Sequence, residues 1–230
     1  MSSKPTLRLD WATSEAAQYA CRTWHYTGKM PNSGVKIGVW EDDKFIGVIL
    51  FGVGAANATN GKAYGLARSH EIAELQRVAL KAGHAYPVSK YVSIAIRMLR
   101  KQSPKLRMLI SFADPAQGHH GGIYQAGNWI YTGRSGSDHA FRVKGEVLHC
   151  KTVHSRGWKQ QVAWLRANID PKAEKVVGEG KYRYLMALDA EIAERIAPLA
   201  KPYPKRAKEQ ASERPSELGG VTPTRTLQNT

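Results

Sequence analysis

The stretch DPAQGHHGGIYQAGNW, residues 114 to 129, gathers an acid, two histidines, four glycines, a tyrosine and a tryptophan into sixteen positions. Asp114 stands where the apolar run LRMLISFA ends, and in open α/β sheets ligands collect at the carboxyl ends of strands. The glycines after it allow close backbone approach or positive φ. A short helix starting near His119 or Gly121 would aim its unpaired N–H groups at the same place, a setting that suits an anion, with Tyr124 in its first turns. The stretch therefore reads as one wall of a site. His25 and Tyr26, in WHYTGKMP, follow a helix end and precede a loop, which suits a base, a substrate contact or a structural pair. His119 and His120 raise the idea of a metal pair, but side chains of adjacent residues point apart; phosphate contact or capping is the better use.

The elements that position these residues follow from periodicity. LRLDWA is a short strand, and Thr13 or Ser14 caps a helix with Ala17, Ala20, Cys21 and Trp24 on one face. VKIGVW and KFIGVILFGVG flank EDDK as a hairpin, and a Gly/Asn/Ala-rich loop occupies residues 54 to 65. IAELQRVAL is a further strand, followed by an amphipathic helix with Val88, Tyr91, Val92, Ala95 and Leu99 on one face. LRMLISFAD, WIYTG, VLHCKTV and KYRYLMAL read as strands, GGIYQAGN as a short helix and WKQQVAWLRANI as a longer one. The predicted fold is mixed α/β, with a mostly antiparallel sheet flanked by helices and no internal repeat.

The chain has 230 residues, a formal net charge of +15 and two cysteines, Cys21 and Cys150. Too few for a disulfide framework, the cysteines read as buried thiols with no part in chemistry. No apolar run is long enough to span a bilayer and no signal-peptide pattern opens the sequence, so a cytoplasmic protein is expected. Residues 1–200 are expected to fold as one domain. Residues 201–230, rich in Pro, Ser, Thr and charge, read as a disordered basic tail. Its six Lys/Arg against three Glu leave +12 on the body, which points to a polyanionic partner, nucleic acid first.

Taken in order, LRLDWAT, WHYTGKMP, VKIGVWEDDKFIGVILFG, ELQRVAL, PVSKYVSIAIRMLRKQSP and SFADPAQGHHGGIYQAGNWIYTG resemble the Mom DNA-modification proteins of Mu-like bacteriophages, over about residues 6 to 155. The resemblance implies a GNAT-like acyltransferase fold and conversion of adenine in double-stranded DNA to its N6-carbamoylmethyl form, which shields phage DNA from restriction in the infected host's cytoplasm. It makes ELQRVAL the fourth strand, after which the sheet splays, and PVSKYVSIAIRML the helix that faces the acyl donor. Under it, Tyr124 is the acid for the leaving group, and Asp114 takes the proton of the adenine amine, holds that amine, or merely caps a helix. His25 is the rival base, with Tyr26 beside it. Arg77 meets a donor phosphate or Glu74, and Ser89 binds donor phosphate, caps its helix, or both. Trp129, Tyr131, Tyr182 and Tyr184 belong mostly to the core by alternation, although one could stack on a flipped base. One departure stands out: the family fold's Gly-rich pyrophosphate loop is replaced by KAGHAYPVS, which argues against a conventional coenzyme A grip.

The implied product sets the chemistry. A carbamoylmethyl group, CH2–C(O)NH2, holds a nitrogen that acetyl lacks, and the acetyl methyl would have to be oxidised to bond N6, so a route from acetyl-CoA and iron needs several extra steps. A glycyl group holds every added atom at the right oxidation level, and glycyl-tRNA is the favoured activated donor. A nucleic-acid-binding module without catalysis is the rival reading, and a nuclease built on GHH a remote third.

Overall fold

The computed structural model describes residues 4–54, 61–66, 69–136, 139–178 and 180–205. Strand β1 (Leu7–Trp11) leads into helix α1 (Ser14–Trp24), whose cap is Thr13: its hydroxyl accepts from the Ala16 N–H at 3.2 Å. Strands β2 (Val35–Glu41) and β3 (Lys44–Gly52) form the expected hairpin. Asp42 and Asp43 both take positive φ, 47° and 59°, as a two-residue turn matched to strand twist requires. Then come β4 (Ile72–Leu80), α2 (Val88–Gln102), β5 (Met108–Ala113), a short α3 (Gly122–Gln125) and β6 (Ile130–Arg134). Residues 55–60 of the glycine-rich loop lie outside the described residues.

After β6 the sequence and the structure part company. VLHCKTV is a strand only as β8 (Glu146–His149); Cys150–Ser155 is helical (α4). In WKQQVAWLRANI only Val162–Asn168 is helical (α5). Strands β7 (His139–Val143) and β9 (Glu174–Val177) and helix α6 (Ala190–Ile196) were not expected; β10 (Tyr182–Ala187) was. Four- and five-residue strands are set by their pairing partners, and their own alternation is too short to announce them.

Seven strands form the main sheet in the order β1-β2-β3-β4-β5-β10-β6, antiparallel throughout except for β4 with β5, while β8-β7-β9 make a separate small sheet. The architecture is thus mixed α/β, a mostly antiparallel sheet with helices on both faces. The inner strands bury both faces by period-two alternation. On β5, Leu109 and Ala113 join the core beneath α2 and α3, whereas Met108 and Ile110 meet Ile192 and Ile196 of α6. α1 lays Ala17, Ala20 and Cys21 on Val48 and Leu50. The small sheet has its own core of Phe141, Val143, Leu148, Val153 and Leu165. Cys21 is buried, as expected; Cys150 is only half-buried, with its thiol 3.6 Å from His149 Nδ1.

Two features position the site. Parallel pairing of β4 with β5 is confined to Ile72↔Met108, Ala73↔Leu109 and Glu74↔Ile110; beyond these the strands pair separately and the sheet opens. The second is the loop from Lys81 to Pro87, which leads into α2. Glu41, ending β2, accepts the Ala85 N–H and the Tyr91 hydroxyl, and that hydroxyl in turn accepts the Tyr86 N–H at 3.1 Å. At the other end of the chain, residues 201–205 of the segment read as a tail lie along β6. The Lys201 N–H donates to Tyr131 O, Tyr203 Oη to Trp129 O and Gln125 Nε2 to Pro204 O. Residues 206–230 are outside the described residues.

Tyr91→Phe removes one donor to Glu41 and orphans the Tyr86 amide. An equilibrium urea titration should show the variant less stable by about 1–3 kcal/mol with an unchanged slope.

Candidate active site

Where β4 and β5 part, a β-bulge sets Gln76 and Arg77 opposite the single residue Leu50: Arg77 pairs with Leu50 and Leu75 with Phe51, which leaves Gln76 unpaired. A bulge re-aims side chains, and both residues face the opening. Two cavities meet there. One, of about 500 Å³, is walled by His25, Tyr26, Pro87, Val88, Ser89, His119, His120 and Tyr124. The other, of about 910 Å³, is walled by Asn32, Glu74, Asp114, His149, Lys181 and Arg183. Tyr26, Gln76, Arg77 and Phe112 line both.

Of the residues singled out in the sequence, His25, Tyr26, Arg77, Ser89, His119, His120 and Tyr124 come together on the smaller cavity, and Asp114 lies on the larger one. Tyr26 stacks on His25 with ring centres 4.4 Å apart and meets the edge of His119 at 5.3 Å, so the end of α1 touches the loop of residues 118–121. That loop is seated by Tyr184, whose hydroxyl donates to His120 O at 2.6 Å. Gly121 has φ +83°, and a Cβ there would stand 2.3 Å from the Tyr184 ring, so only glycine lets the loop lie on it.

Each side chain is held in a particular state. The Thr27 N–H donates to His25 Nδ1 at 3.2 Å, so in the neutral ring Nε2 carries the proton. Burial, with the charges of Arg77 and His119 beside it, lowers the His25 pKa to about 4. At neutral pH this ring is an uncharged hydrogen-bond donor. Ser111 Oγ lies 2.7 Å from both Leu75 O and Tyr124 Oη. A carbonyl only accepts, so Ser111 gives its proton to Leu75 O and the Tyr124 hydroxyl donates to Ser111. Burial pushes the Tyr124 pKa up to about 12. Its proton is secure, but at rest points into the sheet.

Asp114 does cap the turn after β5, with Oδ1 accepting the Ala116 N–H at 3.0 Å, while Oδ2 stands 3.8 Å from Lys181 Nζ. Arg77 donates through Nη1 to Gln76 O at 2.8 Å, and its buried Nε has no partner among the described residues. Ser89 is the second residue of α2; the cap position is Pro87, which makes no side-chain bond, so the helix start faces the smaller cavity uncapped. Among the described residues no three His, Cys, Asp or Glu are grouped to hold a metal ion. Gln76, Lys181 and Arg183 escaped the sequence reading. Gln76 depends on the bulge, and the other two on β10 pairing with β5.

The two cavities share four side chains and so form one continuous, two-lobed cleft. The chain belongs to the Mom protein family, which it matches over residues 6–205. It is 29% identical over 208 residues to the methylcarbamoylase mom of Escherichia phage Mu, an alignment covering 86% of this chain and 84% of that protein.

With a pKa lowered from 6.5 to about 4, His25 favours the folded state fully above the unfolded value and loses that contribution as pH falls toward 4. Long-range 1H–15N NMR should find it neutral and protonated on Nε2 from pH 8 down to about 5. Protonation near 6.5 would contradict this reading of the site.

Proposed function

We propose that this chain modifies DNA, converting adenine in double-stranded DNA to N6-carbamoylmethyladenine in the cytoplasm of the infected host, on a GNAT-like splayed sheet. The observation that carries the reading is the pair of cavities joined at Tyr26, Gln76, Arg77 and Phe112. Family membership and the name of the phage Mu relative support it. The larger cavity, with Lys181 and Arg183 in its wall, receives an adenine flipped out of the duplex at a cost of a few kcal/mol. The smaller cavity, with the open start of α2 and Ser89, receives the acyl donor and its phosphate. No described helix is long and apolar enough to cross a membrane.

The favoured donor is glycyl-tRNA. The adenine amine N6 attacks the glycyl ester carbonyl, and the C–O bond to the ribose breaks as that oxygen takes up a proton. The free glycyl amine then attacks C6 through a five-membered spiro ring, and the bond from C6 to the original nitrogen breaks. That nitrogen leaves as the terminal amide, giving C6–NH–CH2–C(O)NH2 with no change of oxidation state. An acetyl-CoA route would require a nitrogen donor for the amide and an oxidant for the methyl, with iron to carry the oxidation.

Asp114, in the acceptor cavity, holds the amine and takes its proton. His25, a neutral donor at Nε2, and Arg77, with a spare Nε–H, suit the oxygen that becomes negative during attack. Tyr124 keeps its proton for the departing ribose hydroxyl; its bond to Ser111 must break to deliver it. Tyr26 lies open to both cavities and carries protons between them.

Nucleosides from DNA incubated with protein, glycine, glycyl-tRNA synthetase, tRNA and ATP should contain the carbamoylmethyl adduct by mass spectrometry. With 15N in the adenine amine, the label should appear in the terminal amide; label retained on C6 contradicts the rearrangement. Product formed only from acetyl-CoA and iron replaces the donor.

Asp114→Asn should lower kcat by about 10²–10⁴ while leaving the duplex Kd unchanged. Under the binding-module reading the wild-type chain would yield no product at all.

A further inference from the structure

Residues 139–178 leave the main sheet after β6 and return at β10. The crossing point is tied by Ser135, whose N–H donates to Lys181 O at 2.7 Å and whose hydroxyl accepts the Lys181 N–H at 2.9 Å. In the small sheet between, Phe141, Val143 and Leu148 share one face, buried with Val153 and Leu165 of α4 and α5. The opposite face follows from the register: Ala140 pairs with His149 and Val176, and Arg142 with Val147 and Glu174. On it Arg142, Val147 and Glu174 are exposed, and Ala140, His149 and Val176 are half-buried. Val147 is 50% exposed there, and His149, at the inner end of this face, is part of the wall of the larger cavity.

The charge on this segment is one-sided, with eight Lys/Arg against three Asp/Glu. The three acids are engaged within the segment itself: Glu174 with Arg142 at 2.6 Å, Glu146 with Arg156 at 3.7 Å, and Asp170 with the backbone N–H groups of Lys144 and Lys172. That clamp on Asp170 sets Lys144 and Lys172 side by side at the outer tip, both exposed. Five residues of β7 separate tip from crossing point, about 17 Å at 3.3 Å per residue. The major groove of B-DNA is about 12 Å wide. A finger of this length, rooted at the base cavity, spans the groove and delivers its tip cations to the far backbone.

We propose that the β8-β7-β9 module is a DNA clamp: its open face lies along the duplex beside the extruded base, and Lys144 and Lys172 bind phosphates across the groove. The proposal rests on the DNA-modification reading above. Its contacts are to backbone oxygens and are independent of base sequence.

The test compares the full-length chain with Lys144→Gln/Lys172→Gln, and with Lys101→Gln/Lys105→Gln at the far end of α2 as a charge-matched control. Binding to a fluorescent 30-base-pair duplex is followed by anisotropy from 50 to 300 mM salt, alongside modification kinetics. For the tip variant we expect affinity about tenfold lower and a slope of log K against log salt smaller by about 2, one per lost phosphate contact. The kcat at saturating DNA and the thermal midpoint should stay at the wild-type values, and the control should keep the wild-type slope. An unchanged slope in the tip variant beside an active wild type overturns the clamp alone, as does an equal loss in the control. Loss of tRNA affinity with duplex affinity intact also overturns it, reassigning the face to the donor. A wild-type chain that binds the duplex without modifying it overturns the functional reading, and the salt slope of the tip variant then decides the clamp by itself: a slope smaller by about 2 supports it and an unchanged slope overturns it.

Discussion

Past Glu74 and Ile110 the parallel ladder between β4 and β5 stops, and backbone groups that a continuous sheet would pair must be satisfied in other ways. Ser111 donates to Leu75 O, the first carbonyl beyond the break, and Arg77 folds one guanidinium nitrogen onto Gln76 O. These repairs leave the Arg77 Nε buried and without a partner among the described residues, which in a tightly bonded interior is a cost of about 1–3 kcal/mol that a ligand oxygen would remove. The same break opens the sheet to both sides, so a strand defect and a two-sided cleft are one feature.

The walls around the cleft are rigid where orientation matters. Glu41 anchors the Lys81–Pro87 loop through Ala85 and Tyr91, which fixes the start of α2. Tyr184 seats the loop that bears His119 and His120, and Gly121 makes that contact sterically possible. Electrostatics follow from this packing. His25 loses its charge because it is buried beside Arg77, and Tyr124 keeps its proton because it is buried.

A body charge of +12 is distributed unevenly. Around the cleft, cations are interleaved with Glu74 and Asp114; on the small-sheet module the acids are spent internally, and Lys144 and Lys172 are exposed. The two surfaces therefore differ electrostatically: mixed charges close together act at short range, whereas exposed cations act through screened, salt-dependent attraction.

Much of this was legible in the residues themselves. Ala17, Ala20 and Cys21 at helical spacing, the Asp42–Asp43 turn and the apolar run before Asp114 each announce an element by local period or turn chemistry, and the motif order carried the family. The sequence by itself also determined that His25, Tyr26, Tyr124 and the histidine pair accompany glycines able to bring backbones close. Only the tertiary structure decided that Asp114 belongs to a different cavity from His25, that Gln76 reaches the cleft through a bulge, and that His25 is a donor at Nε2 because the Thr27 amide takes Nδ1. It alone decided that residues 139–178 form a second small sheet. Strand pairing, bulges and proton positions depend on partners distant in the chain or on a single hydrogen bond, and a periodicity of side chains carries no record of either.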